Sequence, residues 1–351
     1  MTTTRRTFIK GLCFASGALF SPGCTRAQDT DQETGSWKPA YTRLEEKGLF
    51  ALRVDQAMKQ LEDCRLCPHQ CRVNRVRGEK GFCRAPARAV VHSHSPHFGE
   101  ELPLVGRGGS GTIFFSNCNL RCVFCQNWPI AHLGRGREVE DQELARMMLD
   151  LQNRGCHNIN LVTPTHVMPN VLSAVRIAMK QGLHLPLCYN TGGYELPENI
   201  ELLDGIVDIY LPDLKFMGRE ESAEYIIQGR GDYPEMAMAS IIEMHRQVGR
   251  LVLDGRGIAL RGLMVRHLVM PNRVAGTREF VEWVAATLSN DTYVNIMSQY
   301  RVEHMAFEYE KISRAITARE YVESMKWAIE AGLTNLDRRS LSSFEIHRRM
   351  L

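Results

Sequence analysis

From Thr112 onward the sequence alternates between short apolar runs and longer segments with apolar residues at intervals of three and four. The short runs predict strands at 112–116, 158–163, 185–190, 206–211, 263–270 and 293–299. Segments between them, such as DQELARMMLDLQNRG and TREFVEWVAATLSN, predict helices. This alternation is typical of an α/β protein with parallel strands and helices outside. Six strands are too few for a closed eight-stranded barrel. We therefore expect an incomplete (β/α)6 TIM-type barrel with a lateral opening.

Three cysteines follow directly after the first of these strands. The stretch SNCNLRCVFCQNW holds Cys118, Cys122 and Cys125 in one tight loop, whereas a disulfide framework would use an even number of cysteines. A [4Fe-4S] cluster normally takes four thiolates. Three thiolates without a nearby fourth would leave one iron open to an external ligand. A structural zinc site or a chance grouping is the alternative.

A second group of cysteines precedes the strands, with the spacing C-x2-C-x3-C-x11-C. Cys64, Cys67, Cys71 and Cys83 offer four soft thiolates, which suit either zinc or an iron–sulfur cluster. We favour a structural zinc-type site, because a short irregular segment commonly needs a metal to fold. An auxiliary cluster that carries electrons to the first site is the alternative. Disulfides or chance would be the remaining explanations.

The first 27 residues predict a targeting segment rather than part of the fold. An Arg5–Arg6 pair precedes a short, mostly apolar stretch, which resembles a twin-arginine export signal. The stretch is too short for an ordinary transmembrane helix. We expect an exported, periplasmic protein, with a cytoplasmic location as the alternative. Cys24 is a weak candidate for lipidation.

Composition indicates a globular chain, with 44% hydrophobic and 24% charged residues among 351. The net charge of +3 comes from the four basic residues of the first 27, since the remainder carries 39 basic and 40 acidic residues. Nothing in this balance indicates a nucleic-acid partner. After the leader we expect a linker and cysteine-rich extension at 28–105, followed by the partial barrel at 106–351.

The three-cysteine loop resembles that of the radical S-adenosylmethionine (SAM) superfamily. In that superfamily the open iron binds the amino and carboxylate groups of SAM, and an electron from the reduced cluster cleaves the sulfonium to give a 5′-deoxyadenosyl radical. The resemblance implies an enzyme with an external electron donor. Further stretches occur in the order of one subfamily, which is named for its likeness to the pyruvate formate-lyase activating enzyme. They are CRLCPHQCRVNRVRGEKGFC, HFGEE, GSGTIFFSNCNLRCVFCQN, LVTPTH, YNTGGYE, VDIYLPDLKF and MVRHLVMP. The match runs from about residue 64 to the end of the chain.

The resemblance implies roles for single residues around the cluster. Cys118, Cys122 and Cys125 would bind the [4Fe-4S] cluster, and Phe124 would lie beside the adenine of SAM. In relatives a Gly-Gly-Glu stretch at the end of the second strand binds the amino group of SAM. This chain has TPTH there, so Thr163, Thr165 and His166 take that place without the usual carboxylate.

Further strand ends carry the remaining implied SAM contacts. In YNTGG, Asn190 stands where the activating enzymes have an acidic residue near SAM. In LPDLK, Asp213 suits the ribose or the amino group and Lys215 suits the carboxylate. Arg301 stands where relatives have a histidine.

The predicted function is reductive cleavage of SAM followed by hydrogen abstraction from a substrate. By likeness to the activating enzymes, that substrate could be the glycine of a partner protein. A non-catalytic iron–sulfur electron carrier or redox sensor is the alternative, although a carrier would not need the strand-end residues. A zinc-binding interaction module would explain the four-cysteine group but not the barrel pattern.

Overall fold

The computed structural model describes residues 37–226 and 229–351. The predicted targeting segment, with its arginine pair and Cys24, lies outside the described residues. Residues Lys38–Leu351 pack as one compact unit. Within the described ranges, no helix is both long and apolar enough to cross a bilayer.

The strands of the described ranges are short, as the sequence predicts. They are β1 (Ala89–His97), β2 (Ser110–Phe115), β3 (Arg137–Val139), β4 (Ile159–Val162), β5 (Leu187–Thr191), β6 (Ile209–Pro212), β7 (Val252–Leu253), β8 (Ala259–Leu268) and β9 (Tyr293–Met297). The predicted runs correspond to β2, β4, β5, β6, β8 and β9. Their observed ends differ from the predicted ones by a few residues, because apolar content alone does not mark where pairing stops.

The α-helices of the same ranges vary from one turn to more than four. They are α1 (Ala40–Glu46), α2 (Phe50–Lys59), α3 (Leu102–Val105), α4 (Trp128–Ala131), α5 (Asp141–Asn153), α6 (Met168–Lys180), α7 (Pro197–Glu201), α8 (Arg219–Tyr225), α9 (Tyr233–Val248), α10 (Thr277–Trp283), α11 (Ala318–Glu330) and α12 (Arg338–Arg348). The predicted helix at 277–290 is α10 followed by a π-helical turn at Val284–Leu288.

Six strands form a parallel sheet in the order β2, β4, β5, β6, β8 and β9. The predicted α/β class with a parallel sheet is therefore confirmed. The sheet is not closed, since in the part of the chain that the structure describes β9 pairs with β8 and not with β2. Three short or antiparallel strands extend it: β1 pairs with β2, β3 pairs with β1, and β7 pairs with β8. Because β1 lies before residue 106, pairing crosses the predicted domain boundary, which stays a prediction.

The two faces of the sheet have different surroundings. On one face Tyr189, Tyr210 and Val265 belong to the large core that the helices share. On the other face Cys188, Leu211 and Met264 pack in a small separate core against Leu104 of α3. The connection between β1 and β2, residues 98–109, thus covers the amino end of this second face with apolar side chains. We call this connection the plug.

Polar side chains occupy the carboxyl end of that second face. Successive side chains of a strand alternate between faces, so residues two positions apart share one. Asn190, Asp213 and Arg266 each stand two positions after a member of the small core. This face of the sheet therefore changes from apolar to charged along the strands.

Candidate active site

The three-cysteine loop is held at the carboxyl end of β2 by backbone contacts from distant parts of the chain. The Val123 N–H donates to the Tyr225 carbonyl at 2.9 Å, and the Met305 N–H donates to the Val123 carbonyl at 2.9 Å. The Asn119 amide donates to the Tyr194 carbonyl at 2.7 Å. The loop is therefore fixed on several sides before any ligand arrives.

The loop also requires unusual backbone angles and close packing. Asn117 and Arg121 have φ values of 72° and 51°, which lie in the left-handed region. A Cβ on Gly192 of the YNTGG stretch would overlap the Leu120 side chain. The glycine lets the β5 loop approach the cysteine loop.

The three thiols lie in one electrostatic environment. Burial raises the pKa of each thiol, to about 12 for Cys125, and the nearby ammonium of Lys215 acts in the opposite direction on all three. Without a metal these thiols are protonated, and a metal would displace the protons. Three soft donors beside a fixed cation fit an anionic iron–sulfur cluster.

Lys215 is itself part of a buried charge network. Its Nζ donates to Asp213 Oδ2 at 2.5 Å, and Arg266 Nε donates to Asp213 Oδ1 at 2.6 Å. Burial opposes the charge of Asp213, but Arg266 and Lys215 outweigh it and hold the pKa of Asp213 below its usual value. The carboxylate is thus ionised between two cations.

Arg266 joins this network to the neighbouring strand and to the plug. Its Nη2 donates to Asn190 Oδ1 at 2.6 Å, and its Nη1 lies 3.4 Å from Glu100 Oε2. Burial raises the pKa of Glu100 to about 7, against the pull of Arg266. The predicted residues Asn190, Asp213 and Lys215 are therefore brought together, and Arg266 is what connects them.

A second buried carboxylate lies beside the TPTH stretch. The hydroxyls of Thr165 and Thr191 donate to Glu195 Oε1 at 2.6 and 2.5 Å. Burial raises the pKa of Glu195 to about 7, although these hydroxyls favour the charged form. The β5 loop thus places one buried carboxyl group directly beside the TPTH stretch.

Thr163 keeps the backbone of a glycine position. Its φ is 61°, an outlier for a β-branched residue, and its N–H donates to the Asn190 carbonyl at 2.8 Å. The end of β4 therefore has the conformation that a Gly-Gly-Glu stretch would adopt easily, although the side chain is different.

His166 lies apart from the other predicted SAM contacts. Its Nε2 donates to the Ser116 carbonyl at 2.7 Å, and its Nδ1 is buried without a hydrogen-bond partner among the described residues. Burial lowers the pKa of this imidazole to about 4, so it is neutral. Its side chain lines the cavity of the four-cysteine group. A direct contact of His166 with SAM stays a prediction.

Phe124 and Arg301 remain outside the charged network. Phe124 is buried, with ring centroids 5.9 Å from Phe216 and 6.2 Å from Tyr300. Arg301 is exposed beyond the end of β9. Their predicted contacts with adenine and with SAM stay predictions.

The four-cysteine group converges on one cavity. Cys64, Cys67, Cys71 and Cys83 all line it, together with His166 and Arg75. Burial raises the pKa of Cys67, and the three other thiols of the group act in the same direction. A Cβ on Gly81 would lie 2.7 Å from Cys71 Sγ, so the chain folds back closely at this glycine. By donor type these four thiols suit a metal such as zinc or an iron–sulfur cluster.

Arg75 is a buried cation at this cavity. It is 2% exposed, and its guanidinium donates to the carbonyl oxygens of Pro86 and His166. It also favours the thiolate form of Cys83 against the effect of burial on the pKa of that thiol. A negatively charged metal–thiolate centre would balance this cation.

The two cysteine segments touch each other. His69, between Cys67 and Cys71, donates from Nε2 to the Asn119 carbonyl at 2.9 Å. The His69 ring stacks on the Phe82 ring with their centroids 3.9 Å apart, and the Arg121 guanidinium lies 5.8 Å from the centre of the Phe82 ring. The four-cysteine segment is therefore packed against the three-cysteine loop.

Neither cysteine group is closed around a single ion. Among residues 37–226 and 229–351, no three His, Cys, Asp or Glu side chains form a grouping that could hold one metal ion. This holds for the three-cysteine loop as well as for the four-cysteine cavity.

Several site residues were not predicted from the sequence. Arg266 and Glu100 lie in the quoted stretches MVRHLVMP and HFGEE, but neither has a local spacing that marks it as functional. Another quoted position, His267, is structural: its nitrogens contact the Leu214 carbonyl at 2.6 Å and the Thr277 hydroxyl at 3.0 Å.

The fold and the site together define an α/β protein with a thiol-rich centre at the carboxyl edge of a parallel sheet. The Radical SAM superfamily profile matches residues 112–254, which span β2 to β7 and include the three-cysteine loop. A relative in Methanocaldococcus jannaschii, "Uncharacterized protein MJ0674", is 31% identical over 290 residues. That alignment covers 80% of this chain and 78% of the relative.

This chain belongs to the radical SAM superfamily. Membership implies an enzyme that binds a [4Fe-4S] cluster and SAM and cleaves SAM reductively. The predicted superfamily and its two cofactors are thereby confirmed. The likeness to the pyruvate formate-lyase activating enzyme stays a prediction, because the relative is itself uncharacterized.

Proposed function

We propose that this chain is a radical SAM enzyme of the activating type, which abstracts a hydrogen atom from a glycine of a partner protein. The observation that carries the active-site assignment is the junction of the three-cysteine loop with the buried network of Lys215, Asp213 and Arg266. The activating type is supported by the YNTGG and LPDLK stretches, which place Asn190, Asp213 and Lys215 in that network.

The proposed cluster ligands are Cys118, Cys122 and Cys125. When bound, the [4Fe-4S] cluster supplies the electron that cleaves SAM. The chain contributes a fixed loop and a buried cation that offsets the charge of the thiolates. Lys215 and Asp213 are the proposed contacts of the SAM carboxylate and of its ribose or amino group.

The proposed architecture is a (β/α)6 partial barrel with a cysteine-rich N-terminal extension. Between the connection of β1 to β2 and the strand β9 there is a cavity of about 260 Å³. Glu101, Arg266 and Arg339 are among its lining residues. We propose that the substrate enters through this opening.

We further propose that the four-cysteine group binds a metal. Its support is the convergence of four thiols on one cavity beside the buried cation of Arg75. An external electron donor would complete the system.

The test of the activity is SAM cleavage by the full chain, purified anaerobically, reconstituted with iron and sulfide, and reduced with dithionite. We expect 5′-deoxyadenosine from the parent and only background from a Cys118→Ala/Cys122→Ala/Cys125→Ala variant. A Cys156→Ala variant serves as the control, because that buried thiol lies at the amino end of β4, away from both cysteine groups. A reducible cluster that leaves SAM intact would favour the electron carrier instead.

The test of the substrate uses a candidate partner enzyme labelled with α-deuterated glycine. Activation predicts deuterium in the 5′-deoxyadenosine and a glycyl radical in the electron paramagnetic resonance (EPR) spectrum of the partner. SAM cleavage without deuterium transfer from any candidate protein would move the search to small molecules.

We also propose export through the N-terminal arginine pair, on the strength of the sequence alone. A reporter fused to residues 1–35 should be exported from the cytoplasm. The same fusion should remain in the cytoplasm when Arg5 and Arg6 are replaced by lysine. Retention of the parent fusion, or export unchanged by the substitutions, would contradict the proposal.

A further inference from the structure

We propose that the four-cysteine group holds an iron–sulfur cluster through which electrons enter the three-cysteine centre. This inference rests on the proposed function, since it needs a redox-active cluster at Cys118, Cys122 and Cys125. It names the route by which that cluster is reduced.

Two separate hydrogen bonds connect the four-cysteine cavity to the three-cysteine loop. His69 donates to the Asn119 carbonyl at 2.9 Å, and His166 donates to the Ser116 carbonyl at 2.7 Å. Their acceptors stand one residue after Cys118 and two residues before it. A structural zinc site would need only to tie its own segment together, whereas a redox centre must lie near the centre it reduces.

The charge between the two groups supports the same conclusion. The Arg121 side chain interacts electrostatically with both Cys118 and Cys83, which belong to different cysteine groups. Arg75 supplies a buried cation that lines the cavity itself. Such cations stabilise an anionic centre, and they favour its reduced, more negative state.

The ligand set of the cavity is compatible with a cluster. Four cysteine thiols line it, which is the number of protein thiolates that a [4Fe-4S] cluster normally takes.

The buried Nδ1 of His166 gives the cavity a further polar group. Because Nε2 donates to a carbonyl, Nδ1 carries the free lone pair, and it has no partner within the described ranges. The ring lines the thiol cavity while its other nitrogen bonds to Ser116. His166 is therefore a positioning residue between the two centres.

The electron balance is simple. An external low-potential electron carrier, of the iron–sulfur or flavin class, loses one electron to the four-thiolate centre. That centre passes the electron to the three-thiolate centre and returns to its starting state. There the electron would break one carbon–sulfur bond of SAM, which would give methionine and the 5′-deoxyadenosyl radical that carries the unpaired electron.

The first experiment measures the metal at the four-cysteine group alone. The Cys118→Ala/Cys122→Ala/Cys125→Ala variant of the full chain is reconstituted anaerobically with iron and sulfide in the presence of zinc. We expect one cluster equivalent of iron and sulfide and an EPR signal on reduction. Zinc retained with iron at background and no EPR signal would overturn the proposal.

The second experiment compares two reductants in the full chain that keeps Cys118, Cys122 and Cys125. The two reductants are dithionite and a reduced electron carrier of the iron–sulfur or flavin class. A Cys64→Ser/Cys67→Ser/Cys71→Ser/Cys83→Ser variant should lower the ratio of SAM cleavage with the carrier to SAM cleavage with dithionite at least tenfold. The reason is that dithionite can reduce the cluster at Cys118, Cys122 and Cys125 directly. Cys156→Ser should keep the parent ratio. An unchanged ratio in the four-cysteine variant would overturn the relay.

The two experiments separate this inference from the proposed function. A parent that fails to cleave SAM with dithionite contradicts the proposed function, whatever metal the four cysteines bind. A parent that cleaves SAM while the four cysteines bind only zinc contradicts the relay alone. If the four-cysteine variant does not fold, the first experiment, on the Cys118→Ala/Cys122→Ala/Cys125→Ala variant, still decides whether the four cysteines bind a cluster or zinc.

Discussion

The two cysteine segments differ in what holds them in place. The three-cysteine loop follows a central strand, and backbone bonds from Tyr225 and Met305 fix it. The four-cysteine segment, between α2 and β1, contains only a short 3-10 helix at Arg75–Arg77. One set of thiols is positioned by the sheet, while the other lies in a segment with almost no regular structure.

This difference explains how each segment would use a metal. A loop that is already fixed can leave one coordination place open for a reacting ligand. An irregular segment needs all four thiolates, because the metal supplies part of its folding energy. The open centre is suited to chemistry and the saturated one to structure or electron transfer.

The largest expected effect is on the charge network that supports the first segment. Asp213→Asn leaves the ammonium of Lys215 buried without its counter-charge and leaves Arg266 with only the more distant Glu100, and should lower the free energy of unfolding by about 3–5 kcal/mol. Chemical denaturation measures the loss. Glu282→Gln, which breaks an exposed pair with Arg278, should cost less than about 1 kcal/mol. Similar losses in the two variants would show that the network is solvated.

A second test uses pH, which should act in opposite directions on the loop after β5, next to the three-cysteine loop, and on the four-cysteine segment. Burial raises the pKa of Glu195 from 4.5 to about 7. Between these values the unfolded chain loses a proton that the folded chain keeps, so stability falls as pH rises, by roughly 3 kcal/mol in total. Glu195→Gln should remove this decrease in the free energy of unfolding, measured by denaturation at pH values between 4.5 and 8. Equal slopes of unfolding free energy against pH for the parent and Glu195→Gln would contradict this expectation.

The four-cysteine segment should instead lose metal at low pH, because thiolate ligands are protonated there.

The third test targets the close turn of the four-cysteine segment. A Cβ at Gly81 would lie 2.7 Å from Cys71 Sγ and 2.8 Å from Cys71 Cβ. Gly81→Ala should therefore displace Cys71 at a cost of about 1–3 kcal/mol, or roughly 5- to 150-fold in metal affinity. Gly78→Ala is the matched control, since nothing lies within 4 Å of its Cβ position and only its φ of 85° is unfavourable. Competition with a chelator measures both, and equal metal affinity in the two variants would argue against metal ligation by Cys71.

The smallest expected effect is at the contact between the segments. Arg121→Gln removes a cation 5.8 Å from the Phe82 ring centre, and should lower the free energy of unfolding by about 0.5–1 kcal/mol. Arg348→Gln, which removes a similar contact with Phe344, gives the comparison in thermal unfolding. A loss several times larger for Arg121→Gln would show that its charge balances metal-bound thiolates.

Much of the sheet was predictable because its signal is local. Each buried strand needs a short apolar run, and each covering helix needs apolar residues at helical spacing. The predicted run at 263–270 nevertheless begins four residues after the observed start of β8, because pairing with β7 extends the strand. The π-helical turn after α10 was missed because helical spacing continues through it.

Part of the candidate site was predictable for the same reason. The spacing of Cys118, Cys122 and Cys125 lies within one loop, and Asp213 and Lys215 are two residues apart. Arg266 and Glu100 were not predictable, because their importance depends on a contact between residues 166 positions apart. Glu195 ends the quoted stretch YNTGGYE without a spacing that marks a role, and only the structure shows that it is buried against two threonines.

The sequence by itself determined the α/β class, the three-thiol loop and the family to which the chain belongs. The first two follow from periodicity and spacing, which are properties of neighbouring residues, and the family follows from similarity of sequence. Only the tertiary structure decided that Arg266 joins Asn190 to Asp213, that His166 lines the four-cysteine cavity, and that His69 bonds to Asn119. These contacts depend on which strand ends and loops meet at one edge of the sheet, and the packing of the whole chain fixes that.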